Sequence, residues 1–238
     1  MTTSFDLATG VRLGASVIGS EQEPLLQADG FLADPAGLRD IAAAQAFQPA
    51  FGPTGGYPGL RAALPDGYIQ AVVNVLVRPL AEAFSLGSVR PLHAQGAFSL
   101  VTLPPADLKP AQRVPHVDSV NPMQFAILHY LCDEAAGGTA FYRHRATGFE
   151  LLSQARLAAY DAVRATEGAP AGYVDDGAPW FERTAWVTAK WNRLVVYRSC
   201  VLHSGTVPSP EMLSSDPRRG RLTANVFLTL TPSGSTIA

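Results

Sequence analysis

From Val89 to Leu230 the apolar positions fall into short runs broken by Gly, Pro, Asn and Asp. The runs are Phe98 to Leu103, Arg113 to Asp118, Met123 to Leu131, Thr139 to Tyr142, Thr184 to Trp191, Leu194 to Leu202 and Arg221 to Leu230. Their β-branched and aromatic content, with turn formers between them, predicts strands. One stretch departs from this rhythm. Ser153 to Arg164 spaces Leu157, Ala158 and Tyr160 at helical intervals and predicts a helix.

The first 88 residues read differently. Asp34 stands as an N-cap before Pro35, and Leu38, Ile41, Ala42 and Ala46 recur at helical spacing. A second helix is predicted from Asp66 to Phe84, broken or kinked near Pro79. Val11 to Ile18 fits a short strand. Gln48 to Gly59, with Gly52-Pro53 and Gly55-Gly56, is expected to be a loop. The pattern therefore predicts a mainly β protein with flanking helices (α+β). Its core would be a jelly roll or barrel, with the N-terminal helices packed on one sheet. We expect a single domain, residues 1–88 forming a helical flank and 89–238 the core.

Composition narrows the function classes. At 238 residues and 47% hydrophobic, the chain can bury a large core without disulfide or metal staples. Its formal net charge is −2, and no basic tract points to nucleic acid. No apolar run is long enough for a bilayer, and the N-terminus lacks a secretory pattern, so no membrane partner and a cytoplasmic location are expected. The two cysteines, Cys132 and Cys200, form no disulfide framework and fit a reducing compartment.

Chemistry concentrates at His116-Val117-Asp118. On an extended segment these two side chains point the same way. Pro115 stiffens the entry. One more imidazole, His203 in Leu202-His203-Ser204-Gly205, would complete two histidines and a carboxylate. That donor set holds Fe(II) on one face and leaves the other open, although zinc hydrolase sites use the same three ligand types. His93, His129 and His144 have no such partners and are read as structural. Further on, alternation from Arg221 puts Arg221, Thr223, Asn225 and Phe227 on one face of a strand. A guanidinium there suits a carboxylate bidentately, and the Thr223 hydroxyl can add a hydrogen bond. Arg218 and Arg219 are rivals for that role, set lower because they lie in a loop beside Pro217 and Gly220. Arg143, Arg145 and Arg198 could meet an anionic substrate but read first as solvated charges, and Trp180, Phe181, Trp186 and Trp191 could line a pocket but read first as core aromatics. Gln48 to Gly59 and the loop after His203 are long enough to cover a mouth.

The order His116-Val117-Asp118, Leu128-His129-Tyr130-Leu131, Gly137-Gly138-Thr139-Ala140-Phe141, His203 and Arg221-Leu222-Thr223 resembles the Fe(II)/2-oxoglutarate-dependent oxygenases, closest to the prolyl-hydroxylase-like branch. The segment GTAFYRHRATGFE from Gly138 to Glu150 is also similar to an uncharacterised bacterial subfamily of that superfamily. The resemblance implies a double-stranded β-helix (cupin-like jelly roll) and a dioxygenase that consumes O2 and releases succinate. It implies Fe(II) on His116, Asp118 and His203. It implies 2-oxoglutarate held by Arg221, with Tyr130 and Thr223 as lesser partners. The arginine follows the distal histidine at a longer interval than is usual in the family, so the loop between them must be extended. An acidic ligand at Asp118 favours hydroxylation over halogenation, and the substrate would be a small molecule, an amino acid or a peptidyl residue. A cupin-like metal or small-acid sensor without turnover is the competing class.

Overall fold

The structure, a computed structural model, describes residues 5–53, 55–174, 178–208 and 213–234. Among these residues the chain forms eleven strands and three helices. In order they are β1 Gly14–Ile18, β2 Glu23–Ala28, α1 Pro35–Ala43, β3 Gln48–Gly52, β4 Gly55–Ala63, α2 Asp66–Ala83 and β5 Val89–Val101. There follow β6 Gln124–Tyr130, β7 Gly138–His144, α3 Gln154–Arg164, β8 Phe181–Thr188, β9 Arg193–Arg198, β10 His203–Thr206 and β11 Leu222–Pro232. The large sheet runs β1-β2-β9-β6-β11-β5-β4-β3, and the small one β10-β7-β8. Every strand pairing is antiparallel.

Helices α1 and α2 cover the outer face of the large sheet, while α3 packs through Tyr160 against Tyr142 and Phe181 of the small one. Asp34 caps α1 by accepting from Gly37 N–H, with Pro35 at the first helical position. On α2, Tyr68, Val72, Val73, Leu76 and Leu80 are buried. They meet Phe98, Leu100, Phe125, Ile127, Ala224, Val226 and Leu228 from the sheet. Each such side chain, fully buried, stabilises by roughly 1.5–3 kcal/mol. That packing explains why α2 runs on through Pro79. Leu76 and Leu80 anchor the helix on either side of it, and only one turn follows. His129 belongs to this layer as a satisfied core residue, bonded to Tyr68 Oη and Asn192 Oδ1 at 2.9 Å each. Among the described residues no helix is long and apolar enough to cross a membrane.

Several sequence expectations are corrected. The first 88 residues are not only a helical flank, since they supply β1 to β4 of the large sheet. Gln48 to Gly59 is a hairpin and not a loop. Its second strand opens with Gly55 and Gly56, paired with Gly52 and Phe51, at φ +130° and +100°, conformations that glycine reaches without a Cβ penalty. Arg113 to Asp118 is not a strand, because only the isolated bridge between His116 and His203 pairs there. Leu194 to Leu202 divides, β9 ending at Arg198 and β10 starting at His203. His144, by contrast, is structural as read, fully buried and bonded to Thr147 and Glu167. In the loop after His203, residues 209–212 lie outside the described residues.

Candidate metal centre

The segment carrying His116 and Asp118 is tied to the small sheet through its backbone. His116 N–H donates to His203 C=O and His203 N–H to His116 C=O, both at 2.9 Å. Asp118 N–H donates to Ser199 C=O at 2.9 Å. The side chains follow from this tether. The imidazoles of His116 and His203 lie 4.5 Å apart, centroid to centroid. Asp118 presents one carboxylate oxygen 3.7 Å from His116 Nε2 and the other 3.4 Å from His203 Nε2. One donor atom from each of the three residues lies within 4.8 Å of the others.

This donor set fits a metal ion. Ligand bonds of about 2.0–2.2 Å place neighbouring donors in a shell roughly 3 Å apart, so the two Asp118–imidazole gaps need contract by only several tenths of an ångström. His203 Nδ1 bonds to the Val201 carbonyl at 2.9 Å, which fixes the proton there and leaves Nε2 with a free lone pair. The edge of Tyr197 supports the His203 ring at 4.9 Å. Although about half of the His116 side chain is exposed, desolvation where it faces the site, then the His203 imidazole, lower its pKa, with Arg61 adding to this and Asp118 opposing it. A neutral imidazole is the form that ligates.

These three residues open onto a cavity of about 440 Å³ between the sheets. Arg221, Thr223, Asn225 and Phe227 line it along β11, as alternation predicts, while Leu222, Ala224, Val226 and Leu228 face the helices. Arg221 is 4% exposed. One of its terminal nitrogens donates to Gly138 C=O at 2.7 Å, its Nε is buried without a partner, and Tyr130 lies beneath at 5.8 Å. Among the described residues no carboxylate pairs with it. Arg218 instead pairs with Asp40 at the surface, and Arg219 is exposed.

The chain belongs to the family of unknown function DUF6445. That family's model matches residues 10–228. No curated protein matches. Among solved structures this DUF6445 protein is similar to HygX from Streptomyces hygroscopicus with nickel and 2-oxoglutarate bound, at a TM-score of 0.50 and 13% identity, over 91% of this chain and 85% of HygX. At that identity the likeness is one of fold. EvdMO1 is more distant, at a TM-score of 0.44 and 15% identity over 94% of this chain and 56% of its own. An N-substituted L-amino acid dioxygenase from Burkholderia ambifaria AMMD stands at 0.34 and 13%, over 92% and 94%.

Two residues of this DUF6445 chain escaped the sequence reading. Tyr57 and Arg61 line the cavity from β4, within the stretch expected to be a loop and the residues just after it. The Tyr57 hydroxyl is buried near Arg221 and Thr223 without a hydrogen bond of normal geometry. Tyr130 sits one layer deeper than expected. Its hydroxyl bonds Thr139 at 2.6 Å, and Thr139, not Tyr130, reaches the cavity wall. Alternating turn and strand residues in 55–61 were the available signal, hidden by the glycines.

Arg143 and Arg198 also have structural partners. Arg143 pairs with Glu150 at 2.9 Å and Arg198 with Glu23 at 2.9 Å. Phe181 is core, whereas Trp186 is 48% exposed.

Proposed function

We propose that this chain is an Fe(II)- and 2-oxoglutarate-dependent dioxygenase, a single domain with a double-stranded β-helix core, that hydroxylates a small molecule or amino acid. The observation that carries the reading is one cavity lined both by a three-donor metal cluster and by a buried, unpaired arginine. The likeness in fold to HygX, which binds nickel and 2-oxoglutarate, supports it.

The geometry of β10 relates the two features. His203 and Gly205 are two residues apart on this strand and both line the cavity, a step of roughly 6.6 Å. Gly205 lies directly beside the Arg221 guanidinium, where an added Cβ would stand 3.4 Å away. A diacid such as 2-oxoglutarate would meet the metal ligands with one end and Arg221 with the other, since both line the same cavity. Arg221 Nε and the Tyr57 hydroxyl, both buried without a partner, would supply donors there beside Thr223. His116, Asp118 and His203 would hold the ion on one face. The metal with 2-oxoglutarate and O2 supplies oxidation of a C–H bond, with succinate and CO2 released. Because Asp118 occupies a ligand position, no place is left there for a halide, which favours hydroxylation.

Anaerobic addition of Fe(II) and 2-oxoglutarate tests the reading. We expect a visible charge-transfer band that needs both components, and succinate once air is admitted. A band without succinate would indicate a sensor. Absence of both, with tight zinc binding, would indicate a hydrolase.

A further inference from the structure

A second arginine in the cavity has no assigned task. Arg61 projects from β4, where it pairs with Ser99 of β5, and Ser99 in turn pairs with Thr223 of β11. Residues opposite one another in such a row share a face, and both Arg61 and Thr223 line the cavity. The guanidinium lies over the Tyr57 ring at 4.9 Å, which orients its planar fork without neutralising it. Among the described residues no carboxylate lies within ion-pair distance of it. Beside it, the Asn225 amide bonds Ser99 Oγ at 3.2 Å through one end, while its other end is buried without a partner.

We propose that Arg61 anchors the substrate, and that the substrate is a small organic acid with one carboxylate and a nearby N–H or O–H that bonds the free end of Asn225. This rests on the dioxygenase reading, and charge balance carries it further. The charged side chains lining the cavity are Arg61, Arg221 and Asp118. A divalent ion and Arg221 are balanced by Asp118 and the two carboxylates of 2-oxoglutarate. Arg61 is left over as one positive charge, exposed where it lines the cavity and without a protein carboxylate beside it, so an entering anion meets it first. A monoanion fits that surplus. A phosphate monoester, at nearly two charges, would overshoot it. The fork geometry matches a carboxylate through two parallel hydrogen bonds.

The test uses the whole protein loaded with Zn(II) and 2-oxoglutarate. N-acyl amino acids and short α-hydroxy acids are titrated in, each against its carboxamide, with phosphorylated counterparts as a third arm. Binding is read by calorimetry and by the Nε–H resonance of Arg61, assigned from its loss in Arg61→Gln. We expect one or more acids to shift this resonance while the matching amides do not. Affinity for those acids should fall at least tenfold in Arg61→Gln and recover in part in Arg61→Lys. If no acid moves the resonance, or amides bind as tightly as acids, or only phosphate compounds bind, the proposal is overturned. Loss of the Fe(II)–2-oxoglutarate band in Arg61→Gln would also overturn it, assigning Arg61 to the cosubstrate. If the unsubstituted protein gives no such band, the dioxygenase reading fails instead. Titration of acids into the protein with Zn(II) alone then still reports on Arg61.

Discussion

His116 and His203 are joined through their main chains in both directions at 2.9 Å, and the same pairing sets their imidazoles 4.5 Å apart. The geometry of the metal cluster is thus imposed by backbone bonds and not by contacts between the side chains themselves. A site built this way is preorganised, and its ligands can be replaced without losing the bridge that places them.

The first prediction follows directly. His116→Ala, Asp118→Ala and His203→Ala should each weaken metal binding by roughly 100-fold or more, since loss of outer partners alone costs 10–100-fold. Calorimetric titration with Fe(II) or Zn(II) measures this. The metal-free unfolding temperature should move by less than about 4 °C, which corresponds to about 1 kcal/mol for a chain of this size. A collapse of the fold in these variants would contradict the backbone-bridge account.

Arg221→Leu should raise the dissociation constant for 2-oxoglutarate by roughly 30- to 1,000-fold, the range expected when a buried charged partner of a carboxylate is removed. Metal affinity should change far less. Arg218→Ala and Arg219→Ala, altering surface residues, should leave 2-oxoglutarate binding within about twofold. Equilibrium binding to the Zn(II)-loaded protein distinguishes the three.

Acid sensitivity should centre on Glu150. Its carboxylate is 4% exposed and accepts from Ser20 N–H and hydroxyl, Glu21 N–H and Arg143. Burial alone would raise its pKa, but these donors outweigh that and hold it below the ordinary carboxylate value. The folded state therefore binds this proton less readily than the unfolded chain. The stabilisation is present in full above the ordinary carboxylate pKa and is lost as pH falls through the depressed folded value. Glu150→Gln should be less stable near neutrality and show a shallower loss of stability below about pH 4.5. Chemical denaturation across pH reads both.

Gly59→Ala probes the close approach of β4 to β5. A Cβ there would sit 1.9 Å from Leu100 C=O and 2.9 Å from Thr102 N, both backbone atoms that cannot swing aside. We expect a loss of about 1–3 kcal/mol as β4 is pushed from β5, measured as a lower midpoint in urea. An unchanged midpoint would mean that the two strands do not approach so closely.

What was legible in the sequence depended on regular alternation. β11 was readable because Leu222, Ala224, Val226 and Leu228 alternate with polar and cavity-facing residues without interruption. The α1 start was readable from Asp34-Pro35, a local signal that needs no tertiary context. The hairpin of β3 and β4 was hidden because its glycines serve a tight turn and a close strand approach, while in sequence they read as loop formers. The convergence of His116 with Asp118 was anticipated on the wrong backbone, since a bridge to His203 does the work assigned to a strand. The depth of Tyr130 was not legible either. Its face follows from alternation, but the Thr139 hydroxyl that draws it under Arg221 belongs to the other sheet.

The placement of β4 has a bearing on where the chain can be cut. A fragment starting at Val89 would retain His116, Asp118, His203 and Arg221, and in an inventory of motifs it would look complete. It would nonetheless forfeit Tyr57 and Arg61, bare the flank of β5 that β4 covers, and strip α2 from the back of the large sheet. The smallest piece able to house a reactant is therefore much longer than the span of its motifs.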